Sequence, residues 1–216
     1  MFESKEELRM ARLFDERFPE VAKEMIATSV QARCSIALDA ASDKSAMGIP
    51  RSKMFAEACN LTFVINKVLT NAIDASNTPT MSYEEAIVGR GRPMVHYLVD
   101  GFSLHIKKNQ KADHLPKGAI FRMAETEENR QMSLDFGAEI QMPVYLIVTY
   151  NHKNFRLRYV QIGIASYDYT SWLHRWNLAD YIRQERVEVM RNEYGPAIRE
   201  NFVEHISKKY HLEMRN

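Results

Sequence analysis

The sequence predicts an α+β fold: N-terminal helices, a central antiparallel sheet built on two hairpins, and C-terminal helices. Three observations lead there. Residues 143–167 hold two runs of β-branched and aromatic residues flanking Asn151, His152, Lys153 and Asn154, a tetrad with turn composition. Residues 94–107 hold two alternating runs that meet at Asp100-Gly101. Strand-like segments follow one another instead of alternating with helices, which disfavours a doubly wound sheet. A helical N-terminal region, 1–80, and a sheet with C-terminal helices, 81–216, are expected to form one compact unit.

The elements follow in order. Ser4 with Glu7 is a capping box that opens a helix through Phe18, with Leu8, Ala11, Phe14 and Phe18 inward. Pro19 suits the first turn of a second helix, with Val21, Met25, Thr28, Ala32 and Ile36 along one side. Gly48 and Pro50 break the small, polar stretch 40–50 into a loop. A third helix is expected over 52–75; its apolar positions cover most of the circumference, which marks it as the central, buried helix. Asn77-Thr78-Pro79 ends it, and Ser82 with Glu85 starts a brief turn.

Asp100-Gly101 suits a two-residue type I′ turn, because both positions take positive φ. That turn sets a register. Val99, Tyr97 and Val95 oppose Phe102, Leu104 and Ile106 on the core face; Leu98, His96 and Met94 oppose Ser103, His105 and Lys107 on the other. Residues 108–141 are polar and too long for an ordinary connection, so a functional loop with one short strand near 119–123 is expected.

In the second hairpin the first run is apolar on both faces, as a central strand is. The second starts with Phe155, Leu157 and Tyr159 inward and Arg156 and Arg158 outward. At Val160 the phase switches to Val160, Ile162 and Ile164, the mark of a bulge or of burial on both faces. An edge-like aromatic piece follows over 167–172. A helix then runs from Asn177 to Tyr194, Gly195-Pro196 breaks it, and a terminal helix carries Ile198, Phe202, Ile206 and Tyr210.

Hydrophobic residues make up 45% of the 216 and charged ones 26%, which fits a packed chain and excludes a disordered one. The formal net charge of +1 supplies no global field for nucleic acid or membrane, so any such role needs a local patch. Cys34 and Cys59 have neither metal spacing nor a framework of pairs and are expected to be reduced core thiols in a cytoplasmic protein. No apolar run reaches membrane-spanning length, and the first ten residues are charged where a signal peptide is greasy.

DGFSLHIKK (100–108), RQMSLDF (130–136) and VYLIVTY (144–150) together resemble a loosely defined group of bacterial and prophage proteins. The group has no established activity. The resemblance covers the middle third of the chain and implies a mobile-element setting, with nothing about catalysis.

Basic residues gather near the hairpins: Arg90 and Arg92 before the first, Lys107, Lys108 and Lys111 after it, Arg156 and Arg158 on the second. On one sheet they form a strip for nucleic acid, with tyrosines at its edge; the competing reading is a solvated face that discourages edge pairing. Gly89-Arg90-Gly91-Arg92-Pro93 has the core of a minor-groove hook, yet it runs straight into a strand and fits a loop better. His96 and His105 are candidate metal ligands, with His114 or Asp113 as a third; a cross-strand polar pair is the simpler reading. For a magnesium-dependent nuclease the nearest match is Asp100 followed by Lys107, with Glu84, Glu85 or Glu139 as a further ligand. There His105 stands where a carboxylate belongs. Tyr167, Tyr169, Trp172 and Trp176 either close the core or present an anchor, Trp172 above all, to a partner.

These residues favour a non-enzymatic, intracellular binding or regulatory protein of mobile-element type, acting on a protein or nucleic-acid partner and needing no cofactor. A divergent magnesium-dependent nuclease is the alternative. A structural protein self-associating through 177–212 is a third class, and the sequence assigns no oligomeric state.

Overall fold

The structure, a computed structural model, describes residues 5–43, 49–59, 63–76, 80–88, 92–117, 122–124, 144–166 and 168–213. Ser4, Gly48, Asn77, Thr78, Pro79, Arg90, residues 125–143 and Tyr167 lie outside these, as do the side chains of Glu7, Leu8, Cys59 and Arg92. The fold is α+β. Helices α1 (Lys5–Arg17), α2 (Glu20–Ala41), α3 (Arg51–Cys59) and α4 (Phe63–Asp74) come first. Strands β1 (Ser82–Val88), β2 (Arg92–Val99), β3 (Phe102–Lys108), β4 (Val144–Lys153), β5 (Arg156–Ala165) and β6 (Trp172–Asn177) follow. A 3₁₀ turn (Ala179–Tyr181) and α5 (Gln184–Glu213) close the chain.

The six strands lie side by side in chain order. Every neighbouring pair is antiparallel except β3 and β4, which run parallel from Phe102↔Val144 to Lys108↔Tyr150. The expected sheet was antiparallel throughout; this joint corrects it. A parallel pair needs a crossover that returns the chain along the whole strand, which is why the connection over 109–143 is long. Of the short strand expected near 119–123, residues 122 and 123 belong instead to a helical turn over 122–124, and 119–121 lie outside the described residues.

Both hairpins form. Asp100 and Gly101 take φ of 35° and 81°, and Val99, Leu98 and Tyr97 pair with Phe102, Ser103 and Leu104. In the second hairpin the turn is Asn154-Phe155, at φ of 53° and 61°, and β4 continues through the first three residues of the tetrad expected to turn. Asparagine tolerates that conformation; phenylalanine is strained there. Packing holds it: Phe155 is buried, with its ring 4.7 Å from that of Phe55 at an angle of 71°. Farther along, Tyr159 pairs with Asn151 but Leu157 with His152, leaving Arg158 as the extra residue of a bulge. The phase switch at Val160 has this cause, and beyond it β5 is buried on both faces.

The helices cover one face. Tyr97, Leu104, Leu146, Val148, Val160 and Ile162 meet Phe14, Phe18, Ile26, Val30 and Leu69 there. The central helix is α2; the segment 52–75 is helical as α3 and α4 on either side of 60–62, which lie outside the described residues. Ala22, Ala27, Ala32, Ala37 and Ala40 are fully buried around α2, and such small residues let neighbouring helices approach from several sides. Val21, expected inward, is 51% exposed.

Two further expectations are corrected. Ser82 and Glu85 start no turn; they belong to edge strand β1, where Tyr83 donates to both carboxylate oxygens of Asp74 at 3.2 and 3.1 Å. Nor does the C-terminal helix break, since α5 runs 30 residues with Pro196 inside it. A mid-helix proline costs about 3 kcal/mol. Burial of Ile198, Phe202 and Ile206 against Ile36, Met54 and Val68 offsets it, at about 1.5–3 kcal/mol per side chain.

Candidate functional site

The other face of the sheet carries a different chemistry. Ser103, His105, Tyr145, Thr149 and Gln161 are all buried on it. His96 and His105 stack with ring centroids 4.6 Å apart and planes 4° from parallel, and Tyr145 meets His105 edge-on at 5.6 Å. A polar strap, residues 109–117, returns across this face. Its carbonyls are held by side chains from the strands: Tyr159 Oη donates to Asn109 O at 2.8 Å, and Asn151 Nδ2 to Gln110 O at 2.8 Å. Gln161 Nε2 and Arg175 Nη1 both donate to Ala112 O at 2.7 Å. Buried polar side chains therefore satisfy a backbone that has no strand partner.

Past the strap, where β5 meets β6, the face stays open as a cleft of about 1120 Å³. Its walls are residues 113–116 of the strap and the chain from Tyr169 to Ala179; its floor includes Tyr159 and Gln161. Arg158, Arg175, His114, Tyr169 and Trp172 line it, with the backbone of His174. Trp172 lies flat on the sheet because position 163 is glycine. A Cβ there would come within 2.8 Å of two indole carbons and of His174 O.

Each wall has its own support. Ser166 Oγ donates to Asp168 Oδ1 at 2.6 Å, and Thr170 N and Oγ1 donate to the same oxygen at 3.1 and 2.8 Å. These bonds hold the Asp168 carboxyl below its ordinary pKa and tighten a loop that presents Tyr169 at φ 57°. Buried Arg122 donates from Nε to Tyr169 Oη at 3.2 Å and from Nη2 to Lys117 O, tying loop to strap. Burial pushes the Tyr159 and Tyr169 phenols above their ordinary pKa. His114 Nδ1 lies 2.8 Å from Asp113 Oδ1, and this bond holds the carboxyl down.

Of the residues singled out in the sequence, Arg158 and Trp172 meet in this cleft. Arg156 and Arg158 also line a smaller cleft of about 680 Å³ at the tip of the second hairpin, with Lys153. Lys107 is exposed on the strap-covered face, while Lys108, next in the strand, points to the opposite side. Both are two strands from β5, about 10 Å away. Lys111 is exposed in the strap. Arg92 pairs with Val88 through its backbone, and Arg90 lies outside the described residues. The single basic strip therefore resolves into a group around Arg158 and scattered lysines.

The nuclease pair does not meet. Asp100 sits in its turn 3.4 Å from Arg17, and Lys107 is near the far end of β3, about 20 Å away. Glu84 pairs with His96 across β1 and β2; Glu139 lies outside the described residues. His96 and His105 lie ring on ring in parallel planes, and His114 and Asp113 lie at the cleft instead. Among the described residues no group of three His, Cys, Asp or Glu is placed to hold a metal. Nor is any helix there long and apolar enough to cross a membrane. Cys34 is a buried free thiol.

The aromatic group splits. Trp176 stacks on Phe14 at 3.9 Å and donates to Asp15, closing the core, whereas Tyr169 and Trp172 face the cleft. Arg175, His174 and Arg122 went unrecognised in the sequence. The signal for the first two was the continuation of strand character through Asn177, interrupted by a register shift at Ile164/Ala165 that leaves Leu173 unpaired. That shift puts Trp172 and Arg175 on one face. Comparison of the chain with protein-family models, curated proteins and solved structures gives no match.

Proposed function

We propose that the chain is a non-catalytic binding protein that takes a nucleic-acid strand into the cleft between the strap and β6. The observation that carries this is the convergence of Arg158 from β5 with Trp172 and Arg175 from β6 on one open cleft. Guanidinium groups match phosphate geometry, and the ring faces of Tyr159, Tyr169 and Trp172 offer stacking surfaces to bases of any sequence. The two tyrosines, with raised pKa, stay protonated at neutral pH and serve as ring faces and donors, not as bases. With a net charge of +1, attraction has to be local, and this cleft concentrates it. A mobile-element setting, the one implied by the resemblance, belongs to this proposal.

Fluorescence anisotropy with labelled single-stranded oligothymidylate and oligouridylate at low salt tests it. Trp172→Ala is expected to weaken binding between about 5-fold and 150-fold, with an unchanged far-ultraviolet circular dichroism spectrum. A wild type that retains neither oligomer overturns the reading in favour of a protein partner. So does a Trp172→Ala, Arg175→Ala double variant that binds as the wild type does.

A further inference from the structure

The two clefts have Arg158 in common, and its position follows from the bulge. Counted from Val160 and Ile162, residue 158 of a regular strand falls on the helix-covered face, where its charge would be buried without compensation. The extra residue opposite Asn151 and His152 breaks that parity. Arg158 instead lines the aromatic cleft beside β6 and also the smaller cleft at the hairpin tip. A bulge that re-aims a side chain is a common device beside binding sites.

The clefts differ in a complementary way. The larger offers rings, two guanidiniums and one acid, Asp113. The smaller is lined by Leu38 of α2 and Leu157 together with Lys153, Asn154, Arg156 and Arg158, and no acid lines it. Among the described residues none of those three cations has an ion-pair partner, whereas Arg183 just before α5 and Arg186, Arg191 and Arg199 on it each have one. Rings suit bases, and an uncompensated cation group over aliphatic carbon suits the phosphates and sugars of a backbone.

We infer that the two clefts form one track, joined at Arg158, and that its ligand is a single strand of several nucleotides and not a free nucleotide. This rests on the binding function proposed above. Bases stack beside Trp172, the backbone crosses Arg158, and the next phosphates lie over Arg156 and Lys153. From Gly163, beside Trp172, to Arg156 the track follows β5 for about 23 Å. That suits a site of about four nucleotides, the lower end for strand-binding grooves.

The test is a length series of labelled oligothymidylates, from dinucleotide to octanucleotide, on wild type and on Lys153→Ala, Arg156→Ala. Both substituted side chains are exposed, so the fold is expected to survive. Wild-type affinity rises with length up to about four nucleotides and then levels. In the double variant the octanucleotide loses most of that gain, and the slope of log affinity against log salt falls in magnitude by about 1.4. A dinucleotide bound by wild type as tightly as the octanucleotide overturns the track and leaves the cleft reading standing. So does a double variant with the wild-type length dependence and salt slope. If no length binds wild type, both proposals fall.

Discussion

The two faces of the sheet contrast. The helix-covered face is apolar along its length, and its few polar groups end at the rim: Tyr97 Oη donates to Asn66 at 3.1 Å, and Tyr83 reaches Asp74. Where a hydroxyl stays inside, as on Tyr150, burial pushes its pKa up to about 12. The opposite face buries fewer strand positions, with serine, histidine, threonine, tyrosine and glutamine among them. Of these Gln161, together with half-buried Tyr159, holds the carbonyls of a strap that has no ladder of its own. One face therefore supplies cohesion through burial, and the other supplies position through hydrogen bonds. On the second an open, chemically varied cleft persists, because polar walls tolerate water.

The largest expected effect breaks the first face. Ile162→Ala removes a fully buried side chain between α2 and the sheet and is expected to lower the urea unfolding free energy by about 2–5 kcal/mol. A loss below 1 kcal/mol would mean that this face is not the main source of stability. Next comes Gly163→Ala, its neighbour on the other face. The added methyl collides with Trp172, so a loss of about 1–3 kcal/mol is expected together with a shift in tryptophan fluorescence. An unchanged spectrum would show that the indole does not lie on residue 163.

Gln161→Ala is smaller, about 0.5–1.5 kcal/mol for one donor to Ala112 O, and should speed amide hydrogen exchange in the strap. If exchange accelerates as much in the helices as in the strap, the separation of roles between the faces fails. The smallest effect is one of pH. The Asp168 carboxyl is held below its ordinary value of 3.8 by hydrogen bonds from Ser166 and then Thr170. Its contribution is fully present above 3.8 and is lost as pH falls through the lowered value. Acid titration below pH 4 should loosen the loop around Tyr169 in wild type, and Asp168→Asn should remove that step.

Part of the site was legible in advance. Arg158 and Trp172 stood out, one on the outer face of a hairpin and one in a dense aromatic run. Arg175 did not, because a register shift and a strand that runs five residues past the aromatic run are invisible until β6 pairs with β5. Arg122 and the strap donors were hidden for a similar reason, since Arg122 meets Tyr169 and Gln161 meets Ala112 far along the chain.

By itself the sequence determined what neighbours impose on neighbours. Asp100-Gly101 sets a turn and a register because positive φ is a local preference, and the doubly apolar run of β4 announces burial on both sides. The phase switch at Val160 likewise announced its bulge. Only tertiary structure decided where Phe155 could turn, how α5 continues through Pro196, and that β3 and β4 lie parallel. Each of these sets a local cost against contacts made with distant residues, and that balance exists only once the chain has folded.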